Sequence, residues 1–451
     1  MGRSGHVVVI GAGLAGLAAA RRLQTAGLQV TVIEREPTVG GRARTAVVEG
    51  CQIELGAEFL ASFYTRTLTL IDELGLRHTL QRIPRSSAIL RAGQLHPLWP
   101  SARVAFTHLV GTRGKLALSY LLGSLVRHGH LLDLQAFAQA QPIDDVSVSA
   151  YAQAHLSTEL LEYVLQPPIS GIFYWTPERT SRALLLLVLR AGLSRPTGLQ
   201  LFTLRDGLGQ LAQALAHELE VRTGVAALQV EPAATGGFQV HTQVANQPVT
   251  LAADGVVIAT TATAVPTLLP WLDEARRSFF TSVTYSATIN LAVGTRQPLP
   301  DNVYGLLFPR RETPFLASAT VQTVKNPAAA PPGHDVICLH LSGPASVALW
   351  QQEDQHLARL MLADLQRLAP AYELHTPLQF QRLYRCPEAL PEFDVGHFGR
   401  LRQFTHGLIE QPGITFAGDY LGGPFIEGAI LSGEQAADRL VQTLAAQSLA
   451  L

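Results

Sequence analysis

The segment HVVVIGAGLAGLAAARRL (His6–Leu23) restricts this chain more than any other. Val7–Ile10 is an apolar run suited to a parallel strand buried on both faces. It leads straight into Gly11-Ala12-Gly13-Leu14-Ala15-Gly16 and then into a helix rich in alanine and leucine, stopped near Gly27. Leu28–Ile33 reads as the next strand, with Glu34 at its end. In this spacing Gly11 permits the tight turn. Gly13 lets the backbone approach a pyrophosphate, and Gly16 lets helix and strand pack closely. The helix start offers free N–H groups and a positive dipole end to phosphates. Glu34 stands where an acid holds a ribose hydroxyl, about 20 residues past the motif, and an acid there favours FAD or NAD over NADP.

The next stretch separates the two. EREPTVGGRART (Glu34–Thr45) carries Gly40-Gly41-Arg42, which an extended FAD needs and a nicotinamide unit does not. The glycine pair lets the chain pass the pyrophosphate, and Arg42 can bond it. ELGAEFL (Glu54–Leu60) adds a turn at Gly56. Near the other end, FAGDYLGGPFIEGAILSGEQAADRL (Phe416–Leu440) again reads strand, glycine-rich turn, helix, but without GxGxxG. One dinucleotide gripped from both ends is therefore expected, with the adenine half at the first unit and the flavin half at the last. No second GxGxxG suggests an NAD(P) site, and no CxxC suggests disulfide redox chemistry.

With these segments in order, the chain resembles the flavin-containing amine oxidase superfamily nearly end to end. LRDGLGQLAQALAHEL (Leu204–Leu219), ADGVVIATTATAV (Ala253–Val265) and the C-terminal segment are similar to family signatures. The resemblance implies an α/β fold: a Rossmann-like, three-layer ββα domain for extended FAD, interleaved with an α+β substrate domain. The expected FAD domain is 1–75, 200–275 and 396–451, and the expected substrate domain is 76–199 and 276–395. It implies FAD contacts from Gly11, Gly13, Leu14, Ala15, Gly16, Glu34, Arg35, Gly40, Gly41, Arg42, Gly56, Ala57, Val225, Gly418, Asp419, Glu427, Gly428 and Ala429. FAD is expected to be non-covalent, because Cys386 in RCPEALP does not look like an attachment motif.

Within the superfamily, amine oxidases place a lysine near the flavin on a strand similar to TYSATINLAVG (Thr284–Gly294). That stretch has none, and Asn290 is its nearest polar candidate. Phe425 matches one of the aromatic residues that flank an amine, without a clear second. Protoporphyrinogen oxidases fit better. AILRAGQLHPLW (Ala88–Trp99), VLQPPISGIFYWTPERTS (Val164–Ser181) and CPEALPEFDVGHFGRL (Cys386–Leu401) resemble their motifs. Ser87 and Cys386 depart from that branch, where a basic residue and a tryptophan are usual. The expected function is oxidation of a hydrophobic substrate by hydride transfer to flavin N5, protoporphyrinogen oxidase-like, with oxygen or a quinone as acceptor. An isoprenoid or carotenoid-type desaturase, an amine oxidase and a non-catalytic FAD carrier are the alternatives. No side chain reads as an acid–base catalyst. Backbone N–H groups near Glu427–Ala429 would stabilise charge on the reduced ring, with Phe425 and Asn290 on the substrate side.

Composition bounds the rest. Net charge is −1, which makes no case for nucleic acid. Charged residues are 15% of the chain, against about 25% in ordinary soluble domains, so much surface is buried or meets something greasy. Three separated cysteines argue against a disulfide framework or zinc site, and without HExxH no metal is expected. Met1–Gly5 is too short for a signal peptide. Ala183–Leu189, between two arginines, is far short of the ~20 residues a spanning helix needs. A cytoplasmic protein is expected. Leu74–Leu132 holds seven arginines and Lys115 but no Asp or Glu. Bordering an apolar helix (Lys115–Leu132), these charges suit anionic lipid at the inner face of a membrane or substrate carboxylates.

Overall fold

The computed structural model describes residues 5–84, 87–98, 109–193, 198–234, 236–299, 303–374, 377–407 and 412–450. The run Val7–Ile10 forms the central strand, His6–Ile10, of a five-stranded parallel sheet. The order across that sheet is Glu220–Thr223, Gln29–Glu34, His6–Ile10, Gly255–Ile258 and Ile414–Phe416. Alternate residues of a strand face opposite sides. Val7 and Val9 join the core beneath the helices, while Val8 and Ile10 join a second core on the other face. A continuous apolar run is required because both faces are covered. The helix side holds Leu14–Thr25 and Ile426–Ala450. A Cβ on Gly433 would overlap the Ala15 carbonyl, so these two helices touch backbone to backbone. The other face is covered by the antiparallel sheet Val225–Pro232, Phe238–Val244 and Gln247–Ala253. This is the expected three-layer ββα arrangement.

A second, seven-stranded sheet runs Phe380–Pro391, Tyr285–Thr295, Asp335–Leu341, Leu316–Val321, Gly305–Leu307, Ser87–Arg91, Gln94–Pro97. Its pairs are antiparallel except Gly305–Leu307 with Ser87–Arg91. Period-2 alternation again sets the faces. Ile289, Leu291 and Val293 pack with Leu357, Met361 and Leu365 of the helix Asp354–Leu368. Ala292, between them, packs with Cys51, Ile53, Val336, Cys338 and Phe380 on the opposite face. Asn290 shares that second face, which meets the strand Cys51–Glu54.

Leu80–Ile83, placed by sequence beyond position 75, pairs with Leu201–Leu204, which also pairs with Leu60–Ala61. These strands form a small three-stranded sheet of their own, so the first entry into the seven-stranded sheet comes after Ile83. In Asn326–His334, Asn326 is buried and begins a short turn, Pro327–Ala329, while Pro327, Ala328, Pro332 and Gly333 are exposed. The Asn326 amide donates to the Arg205 carbonyl (2.8 Å) and its oxygen accepts from the Ala328 N–H (3.1 Å), so its polarity is satisfied inside. Ser87 lies on the second sheet, beside Gly305. Among the described residues, no helix is long and apolar enough to cross a membrane.

Candidate functional site

The turn after the first strand is built as its glycines require. Gly11 sits at φ +106°, and a Cβ there would stand 2.7 Å from the Ala259 carbonyl oxygen. A Cβ on Gly16 would overlap the Gly11 carbonyl. Gly13 is different: nothing lies within 4 Å of the direction its Cβ would take. That open space faces the first turn of the helix Leu14–Thr25, which has no side-chain cap. The amides of Leu14, Ala15 and Gly16 lack helical partners by geometry, so they are free to bind an anion. Glu34 ends the second strand with each carboxylate oxygen holding one backbone N–H, Ala12 at 2.8 Å and Glu36 at 2.9 Å. The remaining lone pairs suit ribose hydroxyls.

The second glycine pair lies directly on this turn. The Gly40 N–H donates to the Ala12 carbonyl (2.8 Å), and a Cβ on Gly41 would sit 3.3 Å from the Gly13 Cα. Beside it, Arg44 buries a guanidinium Nε with no hydrogen-bond partner among the described residues, a donor the sequence reading did not single out. Gly56 presses on the Arg42 carbonyl, where a Cβ would overlap, and the Ala57 N–H donates to that same oxygen (2.9 Å). The Gly224 N–H donates to the Glu36 carbonyl (3.2 Å), which brings Val225 beside the Glu34 end of the cleft. Arg35 turns its side chain to solvent, 3.6 Å from Glu36, and so stands at the rim. Open space at Gly13, unpaired amides and a buried unpaired Arg44 donor fit a bound pyrophosphate.

The two chain ends meet at an ion pair. The Arg42 guanidinium contacts both oxygens of the buried Asp419 at 2.9 Å and donates to the Ala389 carbonyl at 3.0 Å. Burial opposes the Arg42 charge, but Asp419 outweighs it and keeps Arg42 protonated. The Gly418 N–H donates to Ser432 Oγ (2.9 Å), fixing the loop that carries Asp419.

At the last helix the Glu427 side chain has a structural task, and one of the three expected amide donors is already bonded. The Glu427 carboxylate is committed elsewhere: it accepts from the Arg66 N–H (2.8 Å), the Thr67 N–H (2.8 Å) and the Thr67 hydroxyl (2.6 Å). It thus caps the helix Thr65–Glu73 from outside, because that helix has no side-chain cap of its own. The Ala429 N–H donates to the Phe425 carbonyl (3.0 Å) within its helix, which leaves the Glu427 and Gly428 amides as its free first-turn donors.

Beside this helix start, Phe425 meets three aromatic rings: Phe63 at 5.9 Å, Tyr64 at 6.0 Å and Phe173 at 6.0 Å. Phe173 stacks on Trp175 at 4.7 Å. The sequence offered Phe425 alone, because its partners come from unrelated segments with no shared spacing.

Beyond the aromatic wall lies a buried polar cluster that sequence reasoning missed. Lys325 is 2% exposed, and its Nζ is 2.8 Å from Glu58 Oε2. His340 Nε2 faces Glu58 Oε1 at 4.0 Å. The expected candidate Asn290 is here, but not as a free group. Its Oδ1 accepts from the Thr288 hydroxyl (2.7 Å) and lies 3.0 Å from His340 Nδ1. Burial opposes the Glu58 charge, yet Lys325 and His340 hold its carboxyl below the ordinary range. Burial pushes His340 down. Cys386 lies opposite Thr288 in register, with burial raising its thiol pKa.

In the basic segment, Arg77 pairs with Asp72 (3.3 Å) and Arg91 with Glu159 (2.7 Å), so acids beyond its ends neutralise part of it. Arg85 and Arg103 lie outside the described residues. The helix Thr112–Arg127 exposes Leu116 (68%) and Val126 (82%), along with Arg113 and Arg127.

Residues 14–441 match the family model for flavin containing amine oxidoreductase. Coproporphyrinogen III oxidase of Bacillus subtilis (strain 168) is 24% identical over 94% of this chain and 94% of its own. Protoporphyrinogen oxidase of Bos taurus is 27% identical over 98% of this chain and 99% of its own. A crystal structure provisionally assigned as a protoporphyrinogen oxidase, from Exiguobacterium sp. 255-15, superposes with a TM-score of 0.78. It is 24% identical and covers 97% of this chain and 99% of that one.

Proposed function

Since the chain belongs to the flavin containing amine oxidoreductase family, we propose that this flavin-dependent oxidoreductase binds FAD non-covalently and oxidises a porphyrinogen-type substrate. The observation that carries the reading is the junction of the chain ends at Arg42 and Asp419, between the open turn at Gly13 and the aromatic wall at Phe425. Segments 1–75, 200–275 and 396–451 hold the cofactor, and 76–199 with 276–395 the substrate, the boundary near 75 moving past Ile83. The amides of Leu14–Gly16 and the Arg44 guanidinium take the pyrophosphate, Glu34 the ribose, and the Val225 backbone the adenine.

Bound FAD would supply a two-electron acceptor for hydride from carbon. The protein's own share is orientation and exclusion of water. Phe425, Phe63, Tyr64 and Phe173 present an apolar face to a large flat substrate. The free amides of Glu427 and Gly428, at a helix start, favour negative charge beside them. Among the relatives above, the full-length matches are named for porphyrinogen oxidation, which supports that class over a desaturase or an amine oxidase. Oxygen or a quinone is the acceptor in this reading, and the protein is cytoplasmic.

The exposed apolar and basic face of Thr112–Arg127 supports a peripheral contact with anionic lipid as well. The test of function is anaerobic bleaching of the purified yellow protein. Protoporphyrinogen or coproporphyrinogen should bleach it within turnover time, and an isoprenoid polyene precursor or a polyamine should not. A colourless protein, or bleaching by the polyamine alone, would overturn the proposal. Cosedimentation with anionic but not neutral vesicles at low salt tests the contact.

A further inference from the structure

The cluster Glu58–Lys325–His340 is unusual in being fully assembled and yet one proton short. Glu58 stands two residues past Gly56, which packs on the Arg42 carbonyl. His340 neighbours Tyr174, whose hydroxyl is 3.3 Å from Nδ1, and Tyr174 follows Phe173 of the aromatic wall. The cluster therefore lies against the cofactor cleft, between its Arg42 side and its Phe425 side.

Its hydrogen bonds leave one position open. Asn290 Oδ1 already accepts from the Thr288 hydroxyl, and an amide oxygen only accepts. With Nδ1 as the donor to Asn290 this contact is satisfied, and the Tyr174 hydroxyl turns to Thr288 instead. His340 Nε2 is then a bare lone pair, buried, with no hydrogen-bond partner among the described residues, and aimed at a carboxylate 4.0 Å away. A buried acceptor facing a carboxylate is a costly arrangement. A proton placed on Nε2 converts it into a donor pointing at Glu58 Oε1.

We propose that His340 Nε2 is a redox-linked proton site, filled when the flavin is reduced and emptied when it is reoxidised. The inference rests on the flavin reading above. In the oxidation a substrate loses one hydride and one proton. The hydride goes to the flavin and the proton to His340, so negative charge gained by the ring is matched by positive charge in the cluster. Reoxidation by dioxygen or a quinone takes the hydride's two electrons and both hydrogens, and the cluster returns to its resting state. Asn290 is a positioning residue here, because it fixes which ring nitrogen stays open.

The charged and titratable groups facing the site are Glu58 and Lys325, then Glu54, Tyr174, Tyr304 and Cys338 around that pair. Burial lifts Glu54, Tyr174 and Cys338 toward their neutral forms. Glu58 and Lys325 therefore set the field at Nε2 with opposite signs.

The experiment counts protons taken up when the holoprotein is photoreduced without substrate, in weak buffer with an indicator dye. The wild type should take up one proton more per flavin at pH 7 than His340→Gln. Lys325→Met removes the opposing cation and should shift the pH range of the extra uptake upward. Glu58→Gln should shift it downward. Equal counts in wild type and His340→Gln would overturn the proposal, as would shifts of the same sign in the other two variants. Should His340→Gln fail to fold, the opposed shifts still decide. Photoreduction needs no substrate, so a failed substrate panel leaves this test standing, and a colourless protein would instead sink the flavin reading.

Discussion

Removing the ammonium of Lys325 tests the buried pair as a stabilising element. In Lys325→Met the apolar stem is nearly kept and the charge is lost. At 2.8 Å the Coulomb attraction is of order 6 kcal/mol at an effective dielectric near 20, most of it offset by the cost of burying both ions. Breaking a buried pair from one side costs about 3–5 kcal/mol, because the remaining charge is stranded. The sign of the pH dependence follows. In the parent, Glu58 is held below its ordinary range, so its contribution is present above the unfolded value near 4.3 and lost as pH falls below it. In Lys325→Met only His340 and Gln322 are left to oppose burial, so Glu58 rises relative to the parent. The deficit should then be small near pH 4.5 and grow as pH rises. Urea unfolding at pH 5 and pH 8, followed by circular dichroism, measures it. Lys325→Met with Glu58→Gln should recover most of the loss at pH 8. A single variant within about 1 kcal/mol of the parent at pH 8, or a double variant no better than the single, would refute the reasoning.

Asp419→Ala should loosen the flavin by roughly 10- to 100-fold, as expected for losing charge-assisted bonds worth about 1.5–3 kcal/mol. Flavin release on dilution or gel filtration measures this, and unchanged retention would contradict the junction. Gly13→Ala and Gly16→Ala should part company. Gly13 has an ordinary φ of −72° and open space, so its alanine variant should fold with normal stability and lose flavin, whereas Gly16→Ala should lose stability in the apoprotein too. Apoprotein melting curves and flavin content separate the two, and equal melting losses would count against the assignment. His397 is fully buried, and burial lowers it to about 3. Being held neutral, it should cost stability as pH falls below its unfolded value near 6.5, by about 2 kcal/mol at pH 5. His397→Gln should flatten that acid limb, and an unchanged slope would remove His397 as its cause.

What the sequence made legible was what depends on local spacing. Val7–Ile10, the glycines at 11, 13 and 16 and the acid at 34 all act within one βαβ unit, so their order along the chain carries their geometry. Asp419 was legible because its loop repeats that grammar. Glu58, Lys325 and His340 were not, since a loop, a one-turn helix and a strand bring them together only after both sheets have formed. The same holds for Phe63, Tyr64 and Phe173 around Phe425. The task of the Glu427 carboxylate was hidden for a related reason, since it meets the helix Thr65–Glu73 only in the folded chain. The pairing of Leu80–Ile83 with Leu201–Leu204 was not legible, because a short strand carries no sign of which sheet it will join.

In the proposed reading two similar units serve one ligand, and the parallel sheet supplies the geometric reason. All five strands run the same way, so the turns after His6–Ile10 and Ile414–Phe416 open on one rim. The helices that follow, Leu14–Thr25 and Ile426–Ala450, pack through Ala15 and Gly433. Their free N-terminal amides therefore lie on a common edge. Each helix start carries about half a positive charge, and that of Leu14–Thr25 has no side-chain cap. A ligand with a phosphate at one point and a ring that gains negative charge at another is matched twice along that edge. Between the two positions Arg42 and Asp419 cancel one another, so the stretch joining the two halves carries no net field. That neutrality lets a chain of alternating phosphate and polyol lie across the junction without favouring either end. The site is complete only when residues 377 positions apart have met. Binding should accordingly hold both ends of the chain together, and neither glycine-rich unit should retain the flavin alone.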